Sequence, residues 1–64
     1  MIGYVSDDYR HVVDAQRRPL LLITDYHSEG KTAFVHAVDD NGQRWQGVAG
    51  HQPNARVVMR KRVD

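Results

Sequence analysis

His11, His27, His36 and His51 have the broadest chemical repertoire in this chain, and their spacing offers little to a metal. Structural zinc takes four nitrogen or sulfur ligands, usually in closely spaced pairs. No two histidines stand at such spacing, no His-Glu-x-x-His occurs, and cysteine is absent. His36 sits between Phe34 and Val38, with the only tryptophan, Trp45, in the next segment. The expectation is that His36 packs beside Trp45 in space left open by Gly47, with one ring nitrogen hydrogen-bonded.

The hydroxyls and carboxylates point away from catalysis. Ser6, Thr24, Ser28 and Thr32 lack a base placed to activate them. Asp7 and Asp8 are accounted for by an element start, and Asp39 and Asp40 by a turn, so no pair is left for general acid and base work. No glycine-rich loop of phosphate-binding type is present. No catalytic residue, cofactor or metal ligand is assigned, and the expected activity is binding.

Binding candidates come from the charge distribution. The net charge is +1, but residues 1–40 hold seven acids and four bases, whereas residues 41–64 hold five bases and one acid. Arg44, Arg56, Arg60, Lys61 and Arg62 are therefore the candidates for a nucleic-acid contact, since guanidinium groups grip phosphate or carboxylate bidentately. Small barrels bind single strands by stacking bases on aromatics beside a basic groove. Here only Tyr4, Tyr26 and Trp45 are suited to stack, and Trp45 is expected inside. The near-neutral total also argues against a strong binder of phosphate regardless of sequence.

These residues need elements to hold them. Residues 6–18, SDDYRHVVDAQRR, predict a helix. Ser6 would cap it, Asp7 and Asp8 would favour its positive end, and Arg17 and Arg18 its negative end. Tyr9, Val12, Val13 and Gln16 would form one apolar stripe, and Pro19 would end it. Residues 20–26 and 32–39 predict strands around the turn 27–31. Asn41-Gly42 predicts a two-residue hairpin turn. That turn places Val38 opposite Trp45, His36 opposite Gly47 and Phe34 opposite Ala49. It also pairs Asp39 with Arg44, worth about 0.2–1 kcal/mol. The face of Phe34, His36, Val38, Trp45 and Ala49 is richer in aromatic area and is expected to be the core face, leaving Ala33, Val35, Ala37, Asp39, Arg44, Gln46 and Val48 as a contact surface. Residues 49–54 predict a loop and 55–63 a last strand, with Ala55, Val57 and Met59 on one side and Arg56, Val58, Arg60 and Arg62 on the other.

The sum is a single domain over residues 1–64, mainly β with one α element. It has an N-terminal helix and then a four-stranded, antiparallel, strongly curved sheet, in an Sm-like or SH3-like small barrel. A chain this short buries only about 60% of its unfolded surface, and small folds without disulfide or metal often self-associate. No apolar run approaches the ~20 residues of a membrane helix, and the first residues lack a signal-peptide pattern. The expectation is a soluble, cytoplasmic protein with no membrane partner.

Asp7-Asp8-Tyr9, Val12, Ala15 and Leu20-Leu21-Leu22 resemble the start of the Rof-like inhibitors of Rho-dependent termination. In that family an Asp-Tyr pair opens a helix, an alanine lies on its inner face, and a leucine-rich first strand follows. The resemblance covers residues 7–23, a quarter of the chain. The same opening is similar to WYL-type regulatory domains, although Trp45 is not followed by Tyr-Leu. Both resemblances imply a small Sm- or SH3-like barrel. The first implies a protein that blocks a larger nucleic-acid machine without catalysis, using Asp7, Asp8 and Tyr9 at the helix start.

The expected function is thus a non-enzymatic binding module that regulates or inhibits a larger protein or nucleoprotein assembly, of a size that suits a phage or mobile-element accessory protein. Its partner-binding candidates are Asp7, Asp8, Tyr9, Val35, Arg44 and Val48. Two alternatives stand beside it: direct nucleic-acid binding through Arg44, Arg56, Arg60, Lys61 and Arg62, and a structural homo-oligomer.

Overall fold

The computed structural model describes residues 1–63, which form six antiparallel strands closed into a barrel. In chain order these are β1 (Ile2–Val5), β2 (His11–Val13), β3 (Pro19–Glu29), β4 (Thr32–Val38), β5 (Arg44–Gly50) and β6 (Arg56–Lys61). Each strand pairs with the next, and β1 closes the ring against β6, with Ile2 opposite Val58 and Tyr4 opposite Arg56. Among the described residues there is no helix, and so none long and apolar enough to cross a membrane.

The helix expected over residues 6–18 is therefore replaced by a turn, a short strand and a second turn. The residues that suggested helix caps build those turns instead. Ser6 Oγ donates to Asp8 Oδ1 at 2.7 Å and accepts the His11 N–H at 3.1 Å, while Asp8 Oδ1 accepts the Arg10 N–H at 3.1 Å. Tyr9 takes φ 59°, a left-handed conformation that no helix interior contains. Asp14 Oδ1 accepts the N–H groups of Gln16 and Arg18, both at 2.9 Å, around Arg17 at φ 67°. Short polar side chains compete with helical hydrogen bonds in this way. What remains between the turns, His11-Val12-Val13, contains two β-branched residues that suit a strand. Its Val13 faces Pro19, which sits at the first position of β3, where proline is tolerated. With β1 added at the N-terminus, the sheet has six strands and not four.

The β4–β5 hairpin also differs from the expectation, by one residue. Gly42 N–H bonds to the Asp39 carbonyl at 3.0 Å and Asp39 N–H to the Gln43 carbonyl at 3.1 Å. Gly42 takes φ 78° while Asn41 stays out of the left-handed region. This is a three-residue loop with one glycine in the left-handed region, where a two-residue type I′ turn would need both central residues there. The register becomes Val38–Arg44, Ala37–Trp45, His36–Gln46, Val35–Gly47 and Phe34–Val48. A slip of one residue sends every side chain to the other face. Hence on β4 Ala33, Val35 and Ala37 are buried and Phe34 is exposed, the reverse of the face expected for that strand, whereas on β5 Ala49 is buried and Trp45 packs at the core margin, as expected. The expected Asp39–Arg44 cross-strand pair gives way to Val38–Arg44.

The core is small and aliphatic. Val5, Val12, Leu21, Val35, Ala37, Ala49, Ala55, Val57 and Met59 fill it, with Tyr9, Ile23, Tyr26 and Trp45 packed at its margins. Alanines and Gly47 on the inner faces of β4 and β5 let the barrel close tightly around Met59. The expected inward set of the last strand, Ala55, Val57 and Met59, is buried as read from its alternation.

Candidate binding face

Besides the apolar residues that fill the core, each of four strands carries one large apolar residue on its outer face. Phe34 on β4 faces Val48 on β5, Val48 faces Val58 on β6, and Val58 faces Ile2 on β1. The four therefore lie in one transverse row across the barrel wall. They are 41%, 52%, 47% and 53% exposed, so none is packed away. Scattered surface apolar residues are ordinary, whereas a contiguous set is a candidate interaction site.

One side of the row is polar and basic, with His36, Gln46 and Arg60 adjacent in register. On the other side Tyr4 faces Arg56, and Thr32 faces Gly50. Phe34, His36, Gln46, Val48, Val58 and Arg60 line an open groove of about 620 Å³ over the backbone of Gly47. His36 belongs to this groove and does not pack inside beside Trp45. The space behind Gly47 holds Met59, Val57 and the Val58 carbonyl.

The sequence candidates separate into several places. Val48 is on the row. Val35 is fully buried and faces Gly47, so it is not available to a partner. Asp7, Asp8 and Tyr9 lie in the β1–β2 turn. There Arg17 Nη1 stands 3.7 Å from Asp7 and donates to Asn54 Oδ1 at 2.5 Å. The Ser6 hydroxyl, then the Arg10 N–H, holds the Asp8 carboxyl below the usual carboxylate range. Tyr9 packs on Tyr26 with ring centroids 5.0 Å apart. Asp7 and Asp8 are exposed in this turn and Tyr9 is partly buried.

The five basic candidates do not form one patch. Arg56 and Arg60 flank the apolar row on β6. Lys61 places Nζ 5.6 Å from the Trp45 ring centroid. Arg44 and Arg62 adjoin across the β5–β6 ladder, the Arg62 N–H donating to the Arg44 carbonyl at 2.9 Å next to the Gln46–Arg60 pair, and they line hollows with Gly42 and Gln43 and with His36 and Trp45. Trp45 is half-buried at the barrel margin and donates its indole N–H to Asp39 Oδ2 at 3.1 Å. Asp39 Oδ1 accepts the N–H groups of Asn41 and Gln43, both at 2.9 Å. The indole contact first, then these two, holds the Asp39 carboxyl below its usual range.

Sequence reasoning missed Ile2 and Phe34 as surface residues. The signal for Phe34 was present in the strict alternation of Ala33, Val35 and Ala37, small residues suited to a tight interior. Among the described residues no group of three or more His, Asp or Glu side chains comes together as a metal site.

The fold and this face define a small closed antiparallel β-barrel with an amphipathic outer wall. No family model matches the chain, and neither the curated proteins nor the solved structures include a match to it.

Proposed function

We propose that this barrel is a non-enzymatic binding module that docks its outer wall of β1, β4, β5 and β6 on a larger protein or nucleoprotein assembly and so regulates or inhibits it. The observation that carries this reading is the exposed row Phe34–Val48–Val58–Ile2, which spans four strands without interruption. The core is already filled by other residues, so the row is not required to complete the fold. The Cys-free composition fits a reducing cytoplasm.

The test is affinity capture with wild-type and Val48→Asp baits, each with and without nuclease. A stoichiometric protein recovered by the wild type after nuclease and lost with Val48→Asp supports the reading. Equal recovery by both baits would remove this face from the account.

A second reading is favoured by Arg56 and Arg60 standing on the same wall as Phe34: direct binding of a single nucleic-acid strand. It requires recovery that vanishes with nuclease and affinity that falls steeply with salt.

A further inference from the structure

Resting on the docking reading above, we infer that the outer wall receives an acidic protein segment, one whose apolar side chains cover the Phe34–Val48–Val58–Ile2 row while Asp or Glu residues on both flanks meet Arg56 and Arg60. The charge placement carries this. None of β1, β4, β5 and β6 contains an Asp or Glu, whereas Arg56 and Arg60 lie on opposite flanks of the row. Among the described residues neither Arg56 nor Arg60 makes an ion pair, the two pairs present being Arg17–Asp7 and His27–Glu29. The nearest acids stand beyond these four strands: Asp14 shares a hollow with Tyr4, Asp25 stands beside His36 and Glu29 beside Thr32. An apolar stripe between two uncompensated guanidinium groups is complementary to an acidic, apolar segment. Guanidinium forks hold carboxylates bidentately, and opposite potentials across an interface steer and select the partner.

The other occupants fit less well. A single nucleic-acid strand needs aromatic platforms for its bases, but Ile2, Val48 and Val58 are aliphatic and Phe34 is the one ring in the row. A second copy docked row to row about a two-fold axis would set the Arg56 and Arg60 flanks of one molecule against those of the other. Like charges would then meet on both sides of an isologous contact. The groove beside the row, about 620 Å³, is of a size to take a few side chains from a protein segment.

The experiment selects binders from a random peptide display library on the immobilised full chain. Three proteins are used: wild type, Val48→Ser, and the charge-reversed Arg56→Glu/Arg60→Glu. Circular dichroism and thermal melting of each variant confirm the barrel before selection, with Val58→Ser as a substitute if Val48→Ser does not fold. The wild type is expected to enrich peptides that combine Leu, Ile or Phe with Asp and Glu. The reversed protein is expected to enrich Lys and Arg in place of the acids. The best wild-type peptide should lose about tenfold in affinity on Val48→Ser, as expected for an apolar contact worth about 1.4 kcal/mol. Face-dependent peptides without an acidic bias, or the same peptides on wild-type and reversed proteins, would overturn the partner chemistry while leaving the docking face in place. Peptides indifferent to Val48→Ser would overturn the docking face itself. Polyuridine displacing the peptides from wild type would assign the wall to nucleic acid. A dimer in sedimentation that dissociates on Val48→Ser would assign it to a second copy.

Discussion

Gly47 and Met59 face each other across the β5–β6 ladder, and a Cβ placed on Gly47 would come within 2.7 Å of Met59 Sδ and 2.5 Å of the Val58 carbonyl oxygen. The thioether can shift, but the backbone oxygen has no such freedom. Gly47→Ala is therefore expected to destabilise the barrel by about 1–3 kcal/mol, the usual range for overpacking a closed core. Urea titration followed by tryptophan fluorescence measures it. An unchanged midpoint would mean that the strands separate more easily than this contact implies.

Val35 and Val48 give opposite expectations from neighbouring strands. Val35 is fully buried, so Val35→Arg places a charge in the core and is expected to cost more than about 4 kcal/mol, preventing folding of a domain this size. Val48 is half exposed, so Val48→Arg should leave stability within about 0.5 kcal/mol while altering binding. Soluble yield and thermal melting distinguish the two. Equal stability of the variants would contradict the hairpin register.

His36→Gln is expected to melt within about 0.5 kcal/mol of wild type, because the residue lines open surface hollows and is not part of the buried core. A large loss, with a shifted Trp45 emission, would restore the interior position expected from sequence.

Asp39 links acid sensitivity to the hairpin. Its folded pKa lies below the ordinary value because its carboxylate accepts the Trp45 indole N–H and the Gln43 and Asn41 amides. The stabilisation is thus fully present above the ordinary carboxylate range and is lost as pH falls through the folded pKa. Asp39→Asn should lower the melting temperature at neutral pH and flatten its fall on acidification. Parallel acid profiles for wild type and Asp39→Asn would show that the carboxylate contributes nothing.

At the alkaline end Tyr26 acts in the opposite sense. Its hydroxyl is buried with no hydrogen-bond partner among the described residues, and burial first, then Tyr9, pushes its pKa above the ordinary 10.0. The folded state resists ionisation, so stability falls as pH rises above about 10. Tyr26→Phe should be neutral or stabilising at pH 7, since it removes an unpaired polar group, and should lose less stability at high pH. A marked destabilisation at pH 7 would show that the hydroxyl has a partner.

Legibility in the sequence followed the chemistry of the turns. Residues 55–59 alternate without interruption, and alternation alone placed Ala55, Val57 and Met59 inside and Arg56 and Val58 outside. Residues 6–18 contain Ser, Asp and Arg where a helix wants them, but the same side chains close Ser6–Asp8 and Asp14–Arg18 turns at equal sequence cost. Around Asn41-Gly42 two hairpins compete that use the same glycine and differ by one loop residue. That difference decided whether Trp45 and Ala49 share a face with Phe34 or with Val35, and aromatic area then favoured the wrong side of β4. The exposed apolar row was hidden for the same reason. It depends on four registers at once and on β1, a four-residue strand that contains a glycine and carries no pattern of its own.

Closure of the barrel makes the row an assembled object. Ile2 and Val58 meet only where the first strand seals against the last, so the wall is absent until the ring is complete. A ligand covering it bridges that seam and acts as a clasp, binding the folded chain and not the unfolded one. Such a ligand raises folding stability by about 2.7 kcal/mol at a hundredfold excess over Kd, a large share of what a domain this small possesses. Were a cellular partner to supply that clasp, the abundance of the protein would track the partner's supply, because unclasped copies open more often and are the ones proteases reach.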